Sequence, residues 1–258
     1  MLIVGNDVVD LTDPRVPGKA SGTRFLQRIF AEEERSAVVG AADPDLELWQ
    51  RWAAKETAYK VVSKLRGNPP TFAHRSFVVS WCPPTEHDGQ AGARSGSVQF
   101  ESTTVAIEAA WDRETVHVVG WAAETNPSAR DNPSPAGDRR REEGSPSSRL
   151  ARLDEAGAVW SGPVAALEQR LTPRELEAVH SRASLAVRIA AREAIADVLG
   201  IHEHRLEIVC APGKPGRRPP VVLVDGERDT VDVSLSHDGD WIAWAFAVRR
   251  PNIRSADS

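Results

Sequence analysis

The chain has 258 residues, 41% hydrophobic and 27% charged, the make-up of a globular protein with enough length for one large core or two small ones. Its net charge of −5 gives no global pull toward nucleic acid or an anionic bilayer, and its two cysteines, Cys82 and Cys210, do not make a disulfide framework. No run of about 18 apolar residues is long enough to span a bilayer, and MLIVGNDVVD lacks a secretory pattern, so a cytoplasmic protein is expected.

Leu2-Ile3-Val4 reads as a buried strand, and Gly5 lets the backbone turn or admits a close neighbour. Asp7 and Asp10 follow within GNDVVDL (5–11). Two readings stay open for them: caps of a turn, or oxygen ligands that join Glu56 to hold magnesium. RFLQRIFAEEE (24–34) leads into ELWQRWAAKETAYKVVSKL (47–65), whose apolar residues recur at helical spacing. Trp52, Glu56 and Lys60 fall at i, i+4 and i+8, on one helix face, with Trp49 and Tyr59 nearby. A solvated Glu–Lys pair is the plain reading of that face. The surrounding aromatic rings favour a partly covered carboxylate that needs a cation.

Strands are expected at 77–81, 105–111 and 116–123. Residues 126–149 are rich in Pro, Ser, Gly and charge, and read as a flexible linker between a first module, 1–125, and a second, 150–250. Residues 251–258 read as a disordered tail. The second module repeats the first in order: LEQRLTPREL (167–176), a helix SLAVRIAAREAIADVLGI (184–201), then strands at 206–209, 221–224, 231–236 and 241–248. AAKETA (53–58) matches AAREAI (190–195). The fold class expected is α+β: two similar modules, each a long helix on a small antiparallel sheet, arranged as a pseudo-dimer. Gly213-Lys214-Pro215 presents one lysine at a rigid turn. Ser234, Ser236 and His237 of SLSHDGDW (234–241) stand at a strand end, where hydroxyls and a ring N–H suit a phosphate, or merely a turn.

Together GNDVVDL, WAAKETAYK, GKP and SLSHDGDW resemble the 4′-phosphopantetheinyl transferase superfamily. The resemblance covers roughly 2–65 and 165–248. It is to the short, holo-acyl-carrier-protein synthase type, fused here into a monomeric pseudo-dimer whose copies kept different parts of one site. The second helix has Asp197 and Arg192 where the first has Lys60 and Lys55. The nearest counterpart to the G-x-D strand is LDEAGAVWSG (153–162). The implied reaction moves the 4′-phosphopantetheine arm of coenzyme A to a serine of an apo acyl- or peptidyl-carrier protein. It implies Mg²⁺ on Asp7, Glu56 and Asp10, with Glu56 and Lys60 as catalytic residues. Lys55, Arg192, Lys214, Ser236 and His237 would hold coenzyme A. Arg15 and RFLQR (24–28) are the basic groups suited to an acidic carrier, or else a solvated helix face. Two rivals are a homologue that binds coenzyme A or carrier without transfer, and a metal-dependent phosphohydrolase.

Overall fold

A computed structural model describes residues 1–71, 73–82, 91–124, 146–210 and 219–248. Lys214, most of the linker and the tail 251–258 lie outside the described residues.

The first module opens with strand β1 (Leu2–Asp10), followed by helices α1 (Thr23–Ile29), α2 (Glu32–Gly40) and α3 (Pro44–Leu65). Strands β2 (Val78–Trp81), β3 (Gly92–Phe100), β4 (Thr103–Trp111) and β5 (Thr115–Ala123) complete an antiparallel sheet in the order β1-β5-β4-β3-β2. Asp43 caps α3 by accepting from Leu46 N at 3.0 Å, and Pro44 follows at the first turn, where a missing N–H costs nothing. Ala53, Ala54, Ala58, Val61 and Val62 of α3 pack on Val105, Ile107, Val116 and Val118 of the sheet. Gly5 sets how closely that helix approaches β1. A Cβ there would stand 2.4 Å from Thr57 O and 2.9 Å from Val61 Cγ2.

The second module repeats this order. Strand β6 (Ser147–Arg152) precedes α4 (Val164–Glu168), α5 (Pro173–Leu176) and α6 (Arg182–Leu199). Strands β7 (Leu206–Cys210), β8 (Pro220–Val224), β9 (Glu227–Arg228), β10 (Val231–Asp238) and β11 (Trp241–Val248) follow, forming sheets β10-β11-β6 and β7-β8-β9, with β8 packed beside β10. Both halves therefore place a long helix on antiparallel strands, the α+β arrangement expected. No helix of the described residues is long and apolar enough to cross a membrane.

Two sequence expectations need correction here. The linker does not extend to 149, because Ser147–Arg152 pairs with β11 as β1 pairs with β5. Leu11 N donates to Glu114 O at 2.7 Å and Leu153 N to Asp240 O at 2.8 Å, which fixes the correspondence. The counterpart of β1 is thus 147–152 and not 153–162. Arg149 occupies the place of Asp7, and Arg152 that of Asp10. Serine-rich composition hid β6, since its outer face is exposed and needs few apolar residues.

A matching buried ion pair braces each half. Glu34 accepts from Ala31 N at 2.9 Å, from Lys55 Nζ at 2.7 Å and from Val79 N at 3.0 Å. Glu175 accepts from Thr172 N at 3.0 Å, from Arg192 Nη1 at 3.0 Å and from Ile208 N at 2.9 Å. Each carboxylate joins a helix start, the long helix and a strand. Removing it would strand a buried cation and two backbone donors. Glu34→Ala and Glu175→Ala are each expected to cost about 3–5 kcal/mol in urea unfolding, against under ~0.5 kcal/mol for the exposed Glu32→Ala.

Candidate functional site

The site forms where β1 meets the second module. Backbone amides of β1 that point away from β5 meet side chains of alternate β10 residues. Val4 N donates to Asp232 Oδ2 at 2.7 Å and Asn6 N to Ser234 Oγ at 3.0 Å. Val8 N donates to Ser236 Oγ at 3.3 Å and Asp10 N to Asp238 Oδ2 at 2.9 Å. The side-chain period of two on both strands lets one register serve all four contacts. On β11, Ile242, Trp244 and Phe246 enter the core under α6. The alternate Ala243, Ala245 and Ala247 are buried on the other side, where small side chains let β1 come close. Lys64 of α3 clasps the junction, donating to Val4 O at 2.7 Å, Asp232 Oδ2 at 2.9 Å and Val233 O at 2.7 Å. Burial pushes its pKa down while Asp232 pulls it back up.

Within this junction Asp7 Oδ1 accepts from Lys60 Nζ at 2.9 Å and from Ser236 Oγ at 3.0 Å. Lys60 also donates to Asn6 O at 2.7 Å. Burial drives the Asp7 pKa upward, Lys60 opposes this, and the Glu56 carboxylate adds to the rise. Asp7 and Glu56 line one cleft of about 400 Å³ with His237, Trp49 and Trp52. His237 stands at the rim, its pKa lowered first by partial burial and then by Lys60. The residues suspected at the two chain ends do converge: Asp7, Glu56 and Lys60 from one half, His237 from the other. Arg15 and Lys19 lie at the mouth, Arg15 Nε bonded to Asp13 Oδ1 at 3.0 Å, while Arg24 and Arg28 are exposed on α1.

Other expected site residues lie elsewhere. Lys55 is fully buried and donates to Glu34, to His74 O at 3.2 Å and to Phe77 O, so it is an interior brace and not a coenzyme A contact. Burial lowers its pKa to about 8 despite Glu34. Arg192 is likewise consumed, donating to Glu175, to Arg170 O at 2.7 Å and to Glu203 O at 2.9 Å. Ser236 gives its hydroxyl to Asp7 and receives Val8 N, which makes it a positioning group and not a free phosphate donor. Asp10 Oδ1 accepts from Thr12 N at 2.9 Å and Thr12 Oγ1 at 2.6 Å. Its Oδ2 lies where a Cβ on Gly239 would come within 1.9 Å. Asp10 is therefore a strand-end cap and not a third ligand. Among the described residues no cluster of three His, Cys, Asp or Glu side chains suits a metal. Asp7 and Glu56 both line the cleft, and one or two carboxylates with water and substrate phosphate are the donor type that magnesium takes.

His74 escaped the sequence reading. It lies in a 3₁₀ turn (His74–Ser76) far from any motif, with no local pattern to mark it. Its Nε2 is 3.5 Å from Glu56 Oε1, and its ring stacks on Trp52 at 4.7 Å.

Residues 3–107 match the family model of the 4′-phosphopantetheinyl transferase superfamily. This part of the chain is therefore similar to that superfamily. A holo-[acyl-carrier-protein] synthase of Shewanella amazonensis is 32% identical over 74 residues, which are 29% of this chain and 59% of the relative's length. The match thus spans little more than half of that relative. A crystal structure of holo-[acyl-carrier-protein] synthase from Neisseria meningitidis is 22% identical and aligns over 46% of this chain and 96% of its own, at a TM-score of 0.35. The superfamily match ends before β5, so His237 and the rest of the second module lie outside it.

His117 of β5 sits beneath the site and offers a pH test. Burial, reinforced by Lys60, lowers its pKa to about 4. Among the described residues its Nε2 has no hydrogen-bond partner. The unfolded chain binds this proton near pH 6.5, while the folded chain resists it down to about 4. Stability from neutral His117 is therefore present above pH 6.5 and lost as pH falls toward 4, by about 3 kcal/mol. Urea midpoints at pH 7 and pH 4.5 should fall further apart in the natural protein than in His117→Gln.

Proposed function

We propose that this chain transfers the 4′-phosphopantetheine group of coenzyme A to a serine of an apo carrier protein. The observation that carries the reading is the convergence of Asp7, Glu56 and His237 on one cleft, with Lys60 on Asp7. The repeated order of elements and the paired Glu34–Lys55 and Glu175–Arg192 braces support a fused pseudo-dimer, in which a single chain supplies both sides of the site. At the corresponding place in the second half Arg149 replaces Asp7 and Asp197 replaces Lys60, while Glu193 stands where Glu56 does.

Asp7 and Glu56 would hold Mg²⁺, which, when bound, neutralises charge on the pyrophosphate of coenzyme A. Glu56, facing the cleft, takes the proton of the carrier serine as its oxygen bonds to the phosphorus of the pantetheine phosphate. The bond to the second phosphate breaks, and 3′,5′-bisphosphorylated adenosine leaves with that electron pair. Lys60, 2.9 Å from Asp7, would stabilise charge on the transferring phosphoryl. His237 donates to a coenzyme A phosphate at the cleft. The exposed Arg24 and Arg28, with Arg15 at the mouth, suit an acidic carrier.

One observation favours binding without transfer: Lys60 already occupies the cation position on Asp7. The two readings separate by experiment. Purified protein with Mg²⁺, coenzyme A and a panel of apo acyl- and peptidyl-carriers should add the phosphopantetheine mass to the carrier. Glu56→Gln should slow this by about 10²–10⁴-fold without unfolding. Calorimetric binding of coenzyme A with no mass added to any carrier would establish the binding homologue instead. Release of the bisphosphate without carrier would point to a phosphohydrolase.

A further inference from the structure

Glu56 is the group on which the proposed transfer turns, yet α3 alone does not fix its carboxylate. The side chain retains 24% exposure and reaches from a helix face into an open cleft. What meets it is His74, delivered by the turn between α3 and β2. Nε2 of His74 lies 3.5 Å from Glu56 Oε1.

The imidazole is itself held from two sides. Trp52, one helical turn before Glu56, stacks on the ring with centroids 4.7 Å apart and planes at 30°. Phe25 of α1 stacks on the far side of Trp52 at 6.0 Å and 20°. From below, the buried Lys55 ammonium takes the His74 carbonyl at 3.2 Å. The Lys55–Glu34 brace, which has no access to the cleft, therefore fixes the backbone that carries the ring. The stack on Trp52 and the anchored backbone together set the ring beside the Glu56 carboxylate.

We infer that His74 is a positioning residue for Glu56: its Nε2 holds Oε1 and leaves Oε2 directed at the reacting groups. The contact at 3.5 Å is longer than a finished hydrogen bond, as such contacts often are before substrate binds. The inference rests on the transferase reading for its effect on rate, but its geometric content stands apart from activity. Among the described residues the neighbouring Arg75 and Ser76 are exposed.

Two variants separate positioning from packing. His74→Phe keeps a ring on Trp52 and removes the donor; His74→Gln keeps an N–H donor and removes the ring. His74→Phe should lower kcat by roughly 10–100-fold with KM for coenzyme A and carrier nearly unchanged, and His74→Gln should restore most of the rate. Crystal structures should show the Glu56 carboxylate swung away in His74→Phe and retained in His74→Gln. Natural kcat in His74→Phe, or a Gln variant as slow as Phe, would overturn the inference. Should the natural protein transfer nothing to any carrier, the transferase reading fails by itself. The crystal structures then decide: a displaced Glu56 in the Phe variant upholds the positioning role, and an unmoved one refutes it. If the Phe variant does not fold, His74→Ala takes its place under the same criteria.

Discussion

Everything about the site depends on how β1 is covered. As an end strand of a five-stranded sheet, β1 presents unpaired amides along one edge. Left bare, such an edge invites pairing with another chain. Here β10 answers it with side chains: Asp232, Ser234, Ser236 and Asp238 each take one amide. Short polar groups at every second position make this possible, because they reach a neighbouring backbone without pushing it away. The same contact brings Ser236 onto Asp7 and sets His237 at the cleft rim. Fold stability and site geometry are thus carried by one row of hydrogen bonds.

The two halves share their braces but not their chemistry. Glu34 with Lys55 and Glu175 with Arg192 do the same structural work, joining a short helix, a long helix and a strand. Around the cleft two positions change sign between the halves, Asp7 to Arg149 and Lys60 to Asp197, while Glu56 keeps a carboxylate counterpart in Glu193.

Much of this was legible in the chain. Alternation in VDVSLSHD marks a strand, and the Trp52, Glu56, Lys60 spacing places the three on one helix face. Lys55 illustrates what local spacing missed and could have found. It sits seven residues from both Leu48 and Val62, within the apolar stripe, and so faces the interior. Ser236 was beyond reach, since its partner lies 229 residues away and only the tertiary register defines it. β3 also carried little signal. Its exposed residues are small or polar, and of its nine residues only Val98 and Phe100 are buried. His74 had none, because a turn places it over Glu56 only after α3 and β2 have packed.

The most direct test of the shared-strand construction is the rate of phosphopantetheine transfer to an apo carrier by Ser236→Ala, measured by mass spectrometry beside its urea midpoint. Losing the hydroxyl frees Val8 N and releases Asp7 together. Transfer should fall at least about tenfold and stability by about 1–3 kcal/mol in the one variant. Natural rate and natural stability in Ser236→Ala would contradict the dependence of the site on the β1–β10 contact.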